Sequence, residues 1–377
     1  GGRGLSVWDS FTHENGHISD GSTADITCNH YNRYKEDVAF MKKLGVNAYR
    51  FSLSWTRLLP TGTGKVNQKG VDFYAKLIDE LLENGIEPYI TLHHWDYPLE
   101  LFHKGGWLNR DLTDCFAEYA NIVVKLYGDR AKNYITINEP QVILGCAYDK
   151  EEHAPGMRMD TRQQLQVLHN MLLAHGKAAK ILHEHKGVKV AIAPNSNIYM
   201  PLTETEENIA AANKATCGAV FNSWIWSENY FIDPIVFGKY PDEYYDKFAD
   251  VLPYIGKDDM KIISEPLDFL CQNMYDGKYV FVDKNGQSRI AEQEMGADHT
   301  DMGWPVTPDV LYWGIRFITQ RYKLPMMISE NGCAMPDLLT PDKKVHDGAR
   351  IEYMRRYLTS LHRAQEEKYP VNGYFYW

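Results

Sequence analysis

The chain has 377 residues, of which 44% are hydrophobic and 24% charged, so it has enough apolar material for two ordinary domains or one large α/β barrel and is too apolar for global disorder. Its formal net charge of -10 argues against a nucleic-acid surface. No apolar run reaches the length of a membrane span and no basic-then-apolar leader opens the chain, so neither nucleic acid nor membrane is an expected partner. Six cysteines, at 28, 115, 146, 217, 271 and 333, form no CxxC pair and read as reduced thiols, which points to a cytoplasmic setting.

In chain order the reading is strand then helix, repeatedly. Helical periodicity over 32–44 (Tyr34, Val38, Met41, Leu44) stops at Gly45, and 47–53 follows as a strand. A helix over 69–84 ends at Asn84-Gly85, and the strand 87–93 (EPYITLH) comes next. Helix 111–128 leads into strand 134–138, and helix 161–186 into strand 188–193. Strands over 268–273 and 325–329 flank a helix over 307–322, and a helix over 346–368 leads to the last run, 373–377 (GYFYW). Residues 276–300 read as a β-hairpin excursion with Asn285-Gly286 as its turn. Seven strands with crossover helices predict a parallel sheet in one decorated α/β domain spanning 1–377.

No strand is followed by a Gly-rich phosphate fingerprint; GTGKV (62–66) lacks the leading glycine and the Ser/Thr of a phosphate loop. Fourteen histidines invite a metal reading, yet no HExxH occurs, and His183 and His185 would lie on different faces of a helix. No GxSxG elbow is present. Neither a metal nor a cofactor is therefore expected.

Carboxylates remain. The run TINEP (136–140) ends a strand on Asn138 and Glu139, because Pro140 cannot donate to the ladder. ISENG (328–332) ends another on Glu330 and Asn331. Either glutamate alone could be a solvated acid in a turn. On two strands of one barrel, both would project from the C-terminal rim toward a common cleft. Two carboxyl groups about 5–5.5 Å apart are what a retaining glycoside hydrolase needs, one as nucleophile and one as acid and then base. The 25 tyrosines and 9 tryptophans suit sugar rings, although large α/β cores use aromatics as well.

The chain resembles the family-1 glycoside hydrolases, the β-glucosidase-like (β/α)8 TIM barrels. The resemblance is carried by YRFSLSW (49–55) with Arg57 and Pro60, TLHHWDYP (91–98), TINEP, HAPG (153–156), FIDPIVFGKYP (231–241), DFLCQNMY (268–275), TDMGW (300–304) and ISENG. It implies hydrolysis of β-glucosides or related β-glycosides at the non-reducing end by double displacement. The partner it implies is a β-glycoside or oligosaccharide. Glu139 matches the general acid/base and Glu330 the nucleophile, with Arg50 and Tyr275 as the cation and hydroxyl beside the nucleophile. Asn138 is similar to the asparagine on the sugar 2-hydroxyl and His94 to the histidine on a ring hydroxyl. Trp377 matches the tryptophan beneath the glycon and Trp304 a wall of the aglycone subsite, with Trp95 and Asn273 as sugar contacts or the packing behind them.

The chain also departs from the family pattern. Members open with a strand that carries a glycon-binding glutamine and continue past the last strand, whereas this sequence begins at GGRGLSVWD and ends at Trp377. The expectation is a barrel without its first strand, whose exposed edges a complementing segment or a homo-oligomer would cover, and weak hydrolysis or none by these residues alone. Ala147 and Glu151 stand before HAPG where glycines are usual, and Cys271-Gln272 where a glycine is common. A 6-phospho-β-glycosidase and an inactive sugar-binding barrel are the alternative readings.

Overall fold

The computed structural model describes residues 1–221 and 224–377. The chain divides into two compact units, one of Gly1–Pro194 with Phe231–Asp268 and one of Asn195–Tyr230 with Phe269–Trp377.

In the first unit, β1 (Ala48–Ser52), β2 (Glu87–His93), β3 (Asn133–Asn138) and β4 (Lys189–Ala193) form a parallel sheet in the order β1-β2-β3-β4. Helices His30–Leu44, Gln68–Glu83, Leu112–Tyr127 and Thr161–His183 alternate with these strands. β3 is buried along its whole length, as a strand covered on both faces is, with Tyr134, Ile135 and Ile137 as its apolar residues. Each buried isoleucine in it contributes roughly 1.5–3 kcal/mol. Helix Gln68–Glu83 buries Val71, Phe73, Tyr74, Leu77, Ile78 and Leu81 along one face, the spacing of a 3.6-residue period. Helix Thr161–His183 opens with a capping box in which Asp160 and Gln163 bond each other's backbone N–H. The backbone of Ile262 crosses this helix at Gly176, where a Cβ would lie 2.0 Å from the Ile262 carbonyl oxygen, so only glycine fits.

In the second unit, β6 (Leu270–Asn273), β9 (Met326–Asn331) and β10 (Val371–Tyr376) form a parallel sheet in the order β10-β9-β6. A second sheet joins β5 (Ile198–Pro201), β7 (Gly277–Val282) and β8 (Ser288–Ile290) in the order β5-β7-β8. Helices Glu206–Cys217, Val310–Tyr322 and Gly348–Glu366 belong to this unit.

All seven strands read from the sequence are present, with ends that move by a residue or two. The hairpin is real, but its turn is longer than Asn285-Gly286. The antiparallel ladder closes at Val282 and Ser288. The Asp283 carboxylate accepts the N–H groups of Asn285 and Gln287, and this pins the wider loop. Among the described residues the six cysteines form no disulfide. Among the described residues no helix is long and apolar enough to cross a membrane.

Candidate active site

In the first unit the candidate residues lie on β1 and at the C-terminal ends of β2 and β3. Arg50 of β1 donates from Nη2 to Asn138 Oδ1 at 2.5 Å, and Asn138 Nδ2 lies 3.1 Å from His94 Nε2. These contacts fix every proton in the row. Arginine can only donate, so the oxygen of Asn138 faces Arg50 and its NH2 faces the imidazole. Nε2 of His94 is then the acceptor, and the ring is the neutral Nδ1–H tautomer. Burial, then the charge of Arg50 and the neighbouring His93, push His94 down to about 3, in keeping with that assignment.

Glu139 follows directly and is 4% exposed. Its backbone is left-handed, at φ 47° and ψ 63°, a conformation that costs a residue with a Cβ roughly 1–2 kcal/mol. The surroundings hold it there. Its N–H donates to the Ala193 carbonyl at 2.7 Å, and its own carbonyl accepts from Val142 at 3.0 Å and Ile143 at 3.1 Å. Pro140 starts a short helix that passes into a π-helical turn over Ile143–Ala147, a form frequent at functional sites. Trp95 is also left-handed, at φ 72°, and its buried indole N–H has no hydrogen-bond partner among the described residues.

In the second unit Glu330 lies within β9 and is 3% exposed. The Tyr275 hydroxyl donates to its Oε2 at 2.6 Å. The ring of Tyr275 packs 5.3 Å from that of Trp304, which is 38% exposed. Asn273, at the end of β6, accepts at Oδ1 from the Ser329 hydroxyl at 2.6 Å. Trp377 is 61% exposed; its N–H donates to the Asn331 carbonyl at 2.9 Å. Its backbone lies so near Gly332 that a Cβ there would come within 1.9 Å of the Trp377 carbonyl oxygen.

The structure thus brings Arg50, His94, Trp95, Asn138 and Glu139 together in the first unit, and Asn273, Tyr275, Trp304 and Glu330 in the second. Three neighbours were not singled out from the sequence. His153, from HAPG, packs its ring 5.0 Å from that of Trp95. Ser329 orients Asn273. Asn331 donates to the Met274 carbonyl and accepts from Tyr374, which pins the strand end that carries Glu330. The motifs HAPG and ISENG were the available signals. Among the described residues no group of three or more His, Cys, Asp or Glu could hold a metal ion.

Comparison with known proteins gives the family. Residues 1–377 match glycosyl hydrolase family 1 along their whole length. The chain belongs to glycosyl hydrolase family 1. It is 42% identical to β-glucosidase A of Thermotoga maritima over 378 residues, covering 100% of this chain and 83% of that protein. Identity to a 1,4-β-D-glucan glucohydrolase of Thermotoga neapolitana is also 42%, over 100% of this chain and 87% of that one. The solved β-glucosidase from Thermotoga maritima in complex with glucoimidazole superposes with a TM-score of 0.89 at 41% identity, over 100% of this chain and 84% of that one. This family 1 member is a glycosidase, and its fold is the α/β barrel of its relatives.

Proposed function

We propose that the enzyme is a retaining β-glucosidase in which Glu139 is the acid/base and Glu330 the nucleophile. The carrying observation is that each carboxyl group stands buried at its own strand end, Glu139 next to the Asn138 of the Arg50–Asn138–His94 row and Glu330 with the Tyr275 hydroxyl on it. Relatives named as β-glucosidases support the substrate class.

In the first step a carboxylate oxygen of Glu330 attacks the anomeric carbon, and Glu139 gives its proton to the departing glycosidic oxygen. The product is a glycosyl ester on Glu330 and a free aglycone. In the second step Glu139, now ionised, takes a proton from water. The water oxygen bonds the anomeric carbon, the ester bond to Glu330 breaks, and the sugar leaves with its configuration retained. The Tyr275 hydroxyl stabilises the Glu330 anion before attack and after release.

Asn138 serves the sugar 2-hydroxyl, a contact that strengthens as positive charge builds at the anomeric carbon. Arg50 orients Asn138 for this. His94, neutral throughout the working pH range, hydrogen-bonds a ring hydroxyl as an uncharged partner. Trp377 supports the face of the glycon and Trp304 borders the aglycone; Trp95 and Asn273 complete the polar contacts. Six free thiols favour a cytoplasmic enzyme.

The test is the stereochemistry of the first product. With a nitrophenyl β-glucoside and the intact enzyme, proton NMR should detect β-glucose first and the α anomer only through later mutarotation. Initial release of α-glucose would replace retention with inversion.

A further inference from the structure

Trp95 combines two costly features, a left-handed backbone and a buried indole N–H without a hydrogen-bond partner among the described residues. Neither persists unless its surroundings impose it. The residues that impose it lie outside the strands. Downstream of Trp95 the chain is fastened three times to the N-terminal segment: Val7 N–H donates to the Tyr97 carbonyl at 3.1 Å, Leu99 N–H to the Leu5 carbonyl at 3.0 Å, and Trp8 N–H to Asp96 Oδ1 at 3.3 Å. Only the last of these uses a side chain of the turn. Upstream, His94 is held by Asn138. The indole itself lies between the His94 ring at 5.2 Å and the His153 ring at 5.0 Å, and His153 packs in turn 5.5 Å from Trp8.

We propose that Asp96, anchored on the segment Leu5–Asp9, is a positioning residue that holds Trp95 and His94 in the geometry that receives the glycon. This rests on the β-glucosidase reading above and adds a residue to it. The anchor is stiff enough for the role. Arg3 grips the Asp9 carboxylate with two bonds of 2.7 and 2.5 Å, and the same carboxylate accepts the Ser6 N–H at 2.8 Å. Trp8 therefore offers its N–H from a segment tied to itself, and its ring braces the far side of His153. Burial pushes the Asp96 carboxyl up to about 6, against the Ser6 hydroxyl and the Trp8 N–H, which favour the ionised form. A buried carboxyl held there has a local task, and its bond to the Trp8 N–H is the one that ties the turn after Trp95 to the N-terminal segment. Without it, the turn after Trp95 would relax toward ordinary backbone angles and turn the indole away from the sugar.

The intact enzyme and its Asp96→Ala and Asp96→Asn variants decide this, assayed with a nitrophenyl β-glucoside at a temperature where circular dichroism shows all three folded. Binding of a basic glucose mimic is measured in parallel by calorimetry. Asp96→Ala should lose roughly 10- to 100-fold in kcat/KM and weaken the mimic by a similar factor, since misplacement of about 1 Å has that effect. Asp96→Asn keeps an acceptor oxygen and should recover most of the loss. A folded Asp96→Ala enzyme within about twofold of the wild type in both measurements overturns the inference alone. So does an Asp96→Asn enzyme no better than the alanine variant, because a purely steric or structural role would not follow the acceptor. A wild type that neither hydrolyses nor binds glucosides overturns the functional reading, and this inference with it.

Discussion

The two carboxyl groups are carried by very different surroundings. Glu139 sits one residue past β3, on a left-handed backbone, after a row of arginine, amide and neutral imidazole. Glu330 sits within β9, where the pairing with both neighbouring strands shifts register, and takes a direct hydroxyl bond from Tyr275. The contrast follows the chemistry. A group that must give up and regain a proton has its backbone clamped at both its N–H and its carbonyl, so that it cannot swing. A group that must present an anion lies within a strand paired on both sides and receives a donor that lowers the energy of its charge.

The sharpest way to break this comparison is to remove each acid in turn. Glu330→Gln should abolish turnover for every leaving group, a loss on the order of 10⁴ or more, because no ester can form. Glu139→Gln should cost roughly 10²- to 10⁴-fold with alkyl glucosides and far less with a dinitrophenyl leaving group, which departs without protonation. Equal losses across leaving groups would undo the division of labour. Next in size, Tyr275→Phe should lower kcat by about 10- to 100-fold and change KM less, as expected for a donor that acts on the reacting carboxylate.

The units should also part company in acid. Burial holds His93 down to about 4, and both His94 and His175 down to about 3, all in the first unit. Each folded pKa lies below the unfolded value near 6.5, so the unfolded chain binds more protons in between. The stability they confer is present above about 6.5 and falls away as pH drops toward 3 to 4, at about 1.4 kcal/mol per pH unit for each histidine. Asp96, raised to about 6, acts in the opposite sense between about 6 and 3.8 and offsets one of the three. The second unit's histidines, His299, His346 and His362, are exposed. Hydrogen exchange at falling pH should therefore show peptides of the first unit losing protection before those of the second; simultaneous loss would contradict it.

The smallest effect concerns a position flagged by the sequence alone. Glu151, where glycine is usual, has φ 62°. Glu151→Gly should raise stability by up to about 1 kcal/mol in thermal denaturation and leave kcat unchanged.

How legible this was depended on whether the signal was local. The strands of both parallel sheets showed in their apolar runs, and the two glutamates showed because each closes such a run beside an asparagine. β5 was missed because Ile198–Pro201 is only four residues long, carries a proline, and earns its place by pairing with β7 some distance along the chain. The row Arg50–Asn138–His94 joins three separate stretches of the chain, so its members could be named but not its protonation. His153 was quoted within its motif without a role, since nothing near it in sequence points to Trp95. Asp96 was passed over for the same reason: its partner, Trp8, lies 88 residues earlier.

The central claim is that Glu330 forms the covalent intermediate while Glu139 handles the proton. Incubation of the intact enzyme with a 2-deoxy-2-fluoro β-glucoside bearing a dinitrophenyl leaving group, followed by peptide mass mapping, tests it most directly. One fluoroglucosyl group on the peptide containing Glu330, with a stoichiometric burst of dinitrophenol, is the expected result. Label on the peptide containing Glu139, or turnover without any label, would contradict it.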